Sequence, residues 1–423
     1  MKIGLIGSGG REHALCHFLN KSKKVKEIFC IPGNAGTNAI AKNVQLDISD
    51  FESIKNFIIK NEIKLIIVGP EKPLVDGIVD YLEKFNIKVF GPNKISSQLE
   101  GSKIFTKKLC EKYKIPTAKF GIFKSYKDAN DFLVSSKFPI VIKADGLASG
   151  KGVYISENVT EGVKAIKEIF DGKFGNASQV LIEEFLDGEE MSYFIISDGK
   201  TYKKFQTAQD HKRVFEGDKG KNTGGMGAYS PSKLINDELD NKILKKIVEP
   251  TLKGINNLGT NYRGFLYAGL MIKNNEPYLI EYNVRMGDPE CQTILPKLNN
   301  DLFEVIYSCI DNSLESLNLN WSDNKSLCIV LCSKGYPDKF DNGKKINNLK
   351  ELYIQENKNE FLFHAGTKII DNQIFSNGGR VLNFVKTSKN FKESRDSVIK
   401  KINDLNWENG FFRKDIGYRV IDK

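Results

Sequence analysis

The seven cysteines of this chain include no CxxC pair and no metal-finger spacing, which removes zinc modules and a disulfide framework from consideration. An odd number of thiols among apolar neighbours, as at Cys16, Cys110, Cys328 and Cys332, is expected to sit reduced in a core, which implies a cytoplasmic setting. No apolar run approaches the length of a membrane span. Met1 to Ile6 reads as a strand, not as a charged-then-apolar leader, so neither secretion nor membrane insertion is expected. Arginine-rich arms and aromatic-interleaved RNA motifs are lacking as well. The formal charge of +10 comes from lysines spread between acids, a mild field that favours small anions and argues against nucleic acid as a partner.

What is present is a chain of 423 residues, 40% hydrophobic, enough for roughly three domains of about 100 to 200 residues each. In the first hundred residues short apolar strands (Lys2 to Ile6, Ile28 to Ile31, Leu65 to Val68, Val89 to Phe90) alternate with amphipathic helices near Glu12 to Leu19, Phe51 to Lys60 and Val75 to Phe85. That alternation predicts an α/β fold with a doubly wound parallel sheet at the N-terminus. Its ligand edge is the one carrying Gly7-Ser8-Gly9-Gly10, Gly33 to Thr37, Gly69-Pro70-Glu71 and Gly91-Pro92-Asn93. The first Gly run fails the dinucleotide fingerprint, because Glu12 stands where a small residue must let helix and strand pack closely. It still reads as an anion site at a helix start, with Arg11 and His13 nearby.

From about Ser102 a helix over Lys103 to Lys114 is followed by the strand Pro139 to Lys143, the loop Ala144 to Gly152, and a strand from Val153 to Ile155. The loop is not a P-loop: three residues, not four, separate Gly146 from Gly150-Lys151, Gly152 follows, and a strand comes next. It is expected to be a flap between antiparallel strands that closes over phosphates through its N–H groups and Lys151. Gln179 to Ile182 reads as a strand leading to a hinge and the acid pair Glu189-Glu190. The densest signal is Glu281-Tyr282-Asn283-Val284-Arg285-Met286-Gly287-Asp288-Pro289-Glu290, which continues the apolar strand Pro277 to Ile280. On a strand 281, 283 and 285 share one face, so a carboxylate, an amide oxygen and a guanidinium meet: oxygens for a hard cation, Arg for an anion.

Four motifs carry a resemblance to the ATP-grasp ligases, and among them to the phosphoribosylamine-glycine ligase (glycinamide ribonucleotide synthetase) family: Gly7 to Ala14, Lys143 to Val153, Asn222 to Pro231 and Arg285 to Glu290. The match spans residue 1 to about 420. It implies an N-terminal Rossmann-like substrate domain over 1–101, an ATP-grasp domain over 102–325 with a mobile lid at about 120–190, and a small C-terminal α/β domain over 326–423. It also implies ligation of glycine to 5-phosphoribosylamine with ATP as co-substrate, through glycyl phosphate, in purine biosynthesis.

By the same resemblance, ATP is held by Lys103, Lys143, Gly150, Lys151, Gly152, Glu183, Leu186 and Glu190, and Mg2+ or Mn2+ by Glu281 and Asn283. Substrate contacts fall on Gly9, Gly10, Arg11, Glu12, Asn34, Gly36, Thr37, Glu71, Pro73, Asp210, Lys212, Gly225, Met226, Gly227, Arg285, Gly287 and Asp288. Arg285, Asp210 and Lys143 are the expected catalytic set, while His211 is either substrate-facing or a packed structural histidine. The strand Phe265 to Ile272 lacks the second metal-binding acid common in the wider superfamily. Partners are small molecules only, and a monomer is expected. The C-terminal part shows no chemistry of its own, and no fused domain is expected after it. Open rivals are another ATP-grasp carboxylate-amine ligase, a nucleotide-binding protein without turnover on the same fold, and a Rossmann oxidoreductase, the last opposed by Glu12.

Overall fold

Strands β1 (Lys2–Gly7), β2 (Glu27–Pro32), β3 (Lys42–Asn43), β4 (Leu65–Val68) and β5 (Lys88–Phe90) form a parallel sheet in the order β3-β2-β1-β4-β5. The computed structural model describes residues 1–147, 152–175, 178–349 and 359–421. Because side chains alternate along a strand, Ile3, Leu5, Leu65 and Ile67 enter one apolar core while Ile6, Ile66 and Val68 enter another. Burial on both faces is why these strands read as continuous apolar runs. The single helix expected over Val75 to Phe85 is instead two, Glu71–Asp76 and Ile78–Glu83, broken at Gly77. Gly77 adopts φ +99°, a left-handed turn that a residue with a Cβ rarely takes, and the break leaves Glu71 at a helix start on the ligand edge.

The helix Lys103–Tyr113 is capped by Ser102, whose hydroxyl accepts from the Phe105 N–H. Strands β6 (Phe120–Phe123), β7 (Ile140–Ala144), β8 (Val153–Ser156) and β9 (Val180–Glu184) make an antiparallel sheet in the order β6-β9-β7-β8. With the helices Tyr126–Val134 and Val159–Phe170 it encloses its own small core around Leu133, Ile142, Ile166 and Ile182. The chain continues through β10 (Glu189–Asp198), β11 (Tyr202–Lys204), β12 (Gln209–Asp210), β13 (Arg213–Phe215), β14 (Lys219–Asn222), β15 (Gly227–Ser230), β16 (Arg263–Lys273) and β17 (Glu276–Asn283). Of these, β11-β10-β16-β17 form a second antiparallel sheet.

The last part holds β18 (Lys325–Ser333), β19 (Glu360–His364), β20 (Thr367–Ile370), β21 (Gln373–Ser376), β22 (Arg380–Ser388) and β23 (Gly410–Phe411), with the helix Phe391–Leu405. Its sheet runs β12-β15-β18-β22-β19, so two short strands from before residue 231 pair into it. This ties Asp210 and the Gly224 to Ser230 segment to C-terminal strands, a pairing that no local pattern announces. The α/β class, the parallel N-terminal sheet and the three-part architecture are as the motifs implied.

Candidate active site

A cavity of about 980 Å3 opens between the two antiparallel central sheets and the ligand edge of the parallel one. Helical spacing stacks Lys103 and Lys107 one turn apart on the helix behind Ser102, and β7 brings Lys143 to them. Lys143 Nζ lies 3.0 Å and Lys107 Nζ 3.3 Å from Glu183 Oε2, while Lys103 donates to the Gly146 carbonyl at 2.8 Å. Burial lowers the pKa of Lys103 and of Lys107, and the neighbouring Lys143 lowers both further. Glu183 is 4% exposed, and its Oε1 accepts no hydrogen bond among the described residues. Phe185, Leu186 and Asp187 follow it along the wall, where Val141, Met271 and Ile280 add apolar surface. A lysine pole beside a flat apolar slot fits the phosphates and base of a nucleotide.

Opposite the lysines stand Glu281 and Asn283 of β17. Gly269 pairs with Glu281 but Leu270 with Leu279, so Ile280 is the extra residue of a bulge, and both Ile280 and Glu281 reach the wall. Burial alone would raise the Glu281 pKa, yet Lys212, Lys143, Lys103 and Arg285 outweigh it and hold the carboxyl below its ordinary value. One carboxylate and one amide oxygen suit a hard cation that keeps water and phosphate ligands. No group of three or more His, Cys, Asp or Glu with metal-holding geometry occurs among the described residues.

Arg285 does not share the strand with them, because β17 ends at Asn283. The bend after it still turns Arg285 to the cavity, with Nε 3.2 Å from Glu71 Oε2 and Nη2 2.6 Å from Glu100 Oε1. Both carboxylates raise the guanidinium pKa against the effect of burial. Arg11, Asp210, Lys212, Gly287 and Asp288 complete this end, and Lys212 Nζ pairs with Glu190 Oε2 at 2.7 Å. Asp210 is pushed well above the ordinary carboxylate range by burial and by Glu290.

Several expected contacts lie outside the cavity wall. The helix start behind Gly9 and Gly10 is filled by protein carboxylates: the Gly9 N–H donates to Glu12 Oε2 at 2.6 Å and the Arg11 N–H to Asp288 Oδ2 at 3.3 Å. Glu12 is tucked between strand ends, where a Cβ on Gly7 would stand 2.5 Å from its Cγ and one on Gly69 2.1 Å from its Oε1. The small residues at that edge thus make room for Glu12. Asn34 and Thr37 bond to each other and to neighbouring backbone, and Gly36 lies against the His13 ring. His13 itself is buried, accepts from the His364 N–H at 2.8 Å, and titrates well below its ordinary range because of burial.

Pro73 is buried behind the sheet edge, and Met226 lies fully buried in the core against Cys332. Gly227 packs against the Cys328 carbonyl in β15, and Gly225 serves by omission, since its Cβ would stand 2.8 Å from Asp210 Oδ1. Gly152 is a hairpin residue whose carbonyl accepts from the Ala144 N–H. Gly150 and Lys151 lie outside the described residues. His211 is structural: fully buried, its Nε2 accepts from the Gly417 N–H at 3.2 Å.

Other wall residues carried no expectation. Arg380, at the start of β22, donates to the Asp288 carbonyl at 2.6 Å and contacts the Gly224 carbonyl, so the C-terminal part does contribute to the site. Glu100, Lys107, Tyr267 and Glu290 are among the others. Of these, Lys107 was within reach of sequence through its i, i+4 spacing from Lys103, and Glu290 through the motif it ends.

Family models for phosphoribosylglycinamide synthetase match the chain in three blocks: the N domain over residues 1–100, the ATP-grasp (A) domain over 101–291 and the C domain over 326–419. A phosphoribosylamine–glycine ligase of Brucella melitensis is 42% identical over 100% of this chain and 99% of its own length. That of Agrobacterium fabrum is 44% identical at the same coverage. The crystal structure of phosphoribosylamine–glycine ligase from Thermotoga maritima superposes with a TM-score of 0.85 at 31% identity, covering 99% of this chain and 100% of that one. Biotin carboxylase from Campylobacter jejuni, at TM-score 0.71 and 15% identity over 100% of this chain and 95% of that one, shares the fold alone. The chain belongs to the phosphoribosylglycinamide synthetase family.

Proposed function

We propose that this protein is an ATP-dependent ligase that joins glycine to 5-phosphoribosylamine, releasing glycinamide ribonucleotide, ADP and phosphate in purine biosynthesis. The observation that carries the reading is one cavity in which the lysine pole of Lys103, Lys107 and Lys143 faces Glu281 and Asn283, with Arg285 beyond them. A free carboxylate is a poor electrophile because its charge repels a nucleophile. Phosphorylation removes that charge and supplies a leaving group, so glycine must be activated where a nucleotide phosphate and an amine both reach it.

In this reading Lys143 and Lys103 take the ATP phosphates, and the unpartnered Glu183 Oε1 accepts from the adenine amino group. Leu186 and Ile280 sandwich the base, and Glu190 accepts from ribose hydroxyls. Glu281 and Asn283 would hold Mg2+ or Mn2+, which supplies charge neutralisation between the terminal phosphates. Arg285 holds the glycine carboxylate as it becomes an acyl phosphate, exchanging its contacts with Glu71 and Glu100 for the ligand. Asp210, Lys212, Arg11, Gly287 and Asp288 line the end that receives the ribosylamine. The seven cysteines, all free and buried, support a reducing cytoplasm, and we read the working unit as a monomer acting on small molecules.

Glycine labelled with heavy oxygen in its carboxylate tests the chemistry. One label should pass to inorganic phosphate and the other remain in the product amide, with phosphoribosylamine made from ribose 5-phosphate and ammonia. Unlabelled phosphate beside authentic product would overturn the acyl phosphate, and label in AMP would indicate adenylation instead.

A further inference from the structure

Glu290 closes the Arg285 to Glu290 motif, is 3% exposed, and lies in the cavity wall. Its Oε1 accepts from Ser192 Oγ at 3.0 Å, and the same hydroxyl lies 2.9 Å from the Tyr267 hydroxyl. Its Oε2 has no hydrogen bond among the described residues and occupies space left by Gly287, where a Cβ would stand 2.3 Å from it. Gly225 does the same for Asp210 close by, so two glycines of two motifs clear room for two carboxylates. The titratable groups that feel the Glu290 charge are Asp210 of β12, Tyr267 of β16, Arg285 after β17 and the adjoining Cys291, and Lys212 and Arg380 line the same cavity.

A buried acid held by one oxygen, with the other turned to ligand space, is not a surface charge and makes no ion pair closer than 4 Å among the described residues. It shares the cavity wall with Arg285 and is close enough to raise that guanidinium's pKa, which puts an acid beside the residue that would hold the acyl phosphate. We propose that Glu290 is the group that takes the proton from the attacking amine. The amine nitrogen bonds to the glycyl carbonyl carbon, and a nitrogen-bound proton moves to Glu290 Oε2. The carbon–oxygen bond to phosphate then breaks, with the electron pair leaving on phosphate. Asp210 faces the same carboxylate and shares its charge burden, and Ser192 fixes the acceptor's orientation.

The inference rests on the acyl phosphate reading, and Glu290→Gln separates the two. In the full chain with glycine and Mg-ATP but no amine, scrambling of a heavy-oxygen label from the β,γ-bridging position to the non-bridging positions of the β-phosphate of ATP reports reversible phosphorylation of glycine and a folded site. Wild type should scramble, and Glu290→Gln should scramble within about threefold of it, while ligation falls about 10²-fold or more. Scrambling and ligation falling together, or ligation retained, would each overturn the role of Glu290. Absence of scrambling in wild type would remove the acyl phosphate itself, and this inference with it.

Discussion

Arg285 Nη2 and Glu100 Oε1 meet at 2.6 Å, although the two residues are 185 positions apart and neither's neighbours hint at the other. Glu71 approaches the same guanidinium, so one cation serves two acids. Burial and the nearby Glu71 push the Glu100 carboxyl up to about 7, whereas Arg285 and Arg11 outweigh burial to hold Glu71 at about 2.

The signs for stability are therefore opposite. Glu100, raised in the folded state, binds more protons folded than unfolded, so its contribution declines as pH rises from about 4.5 to 7. Glu71, depressed, contributes above about 4.5 and loses that contribution as pH falls toward 2. Denaturant unfolding of wild type and Glu100→Gln should give a stability difference that moves against wild type across the first window. A difference independent of pH would contradict the assignment.

Lys143→Met should cut turnover by about 10²-fold or more, the effect of losing a charge-stabilising group at a transferring phosphoryl. Lys107 remains on Glu183 Oε2, so the fold should persist with a modest drop in Tm. Steady-state rates beside a thermal melt check both halves. Near-normal turnover, or loss only through unfolding, would contradict the role.

Arg380→Ala removes the guanidinium that spans the Gly224 and Asp288 carbonyls. Because Gly225 packs against Asp210 and Gly287 adjoins Asp288, kcat/KM for glycine and amine should fall about 10-fold or more, while KM for ATP, set by the lysine pole, stays put. Equal losses for all substrates would mean a general structural role.

Glu281→Gln keeps the shape of the side chain but removes the carboxylate of the cation pair. Titration of activity with magnesium should shift to higher concentration by about 10-fold or more, with kcat reduced even at saturation. An unshifted titration would place the cation elsewhere.

Local patterns in the chain were enough for the parallel sheet, the lysine-bearing helix and hairpin, and the acid–amide pair of β17. Each depends on side-chain period or a short motif, and both are written along the backbone. Lys103, Lys143, Glu183, Glu281 and Asn283 do reach one cavity. The same patterns did not announce that Glu12 and Asp288 accept from the N–H groups of Gly9 and Arg11 at the helix start, because nothing local says so.

What the sequence by itself determined is thus the set of elements and the chemistry each one carries, since helix and strand periodicity and glycine-bearing turns are short-range properties. What only the tertiary structure decided is which charges meet: Arg285 with Glu71 and Glu100, Lys212 with Glu190, Arg380 with the Asp288 loop, Glu290 with Ser192. Apart from Lys212 with Glu190, those pairings join residues from about 90 to more than 200 positions apart, in sheets whose strand order is not sequence order. Electrostatic coupling acts through space and burial, and neither is encoded in any window of the chain short enough to read.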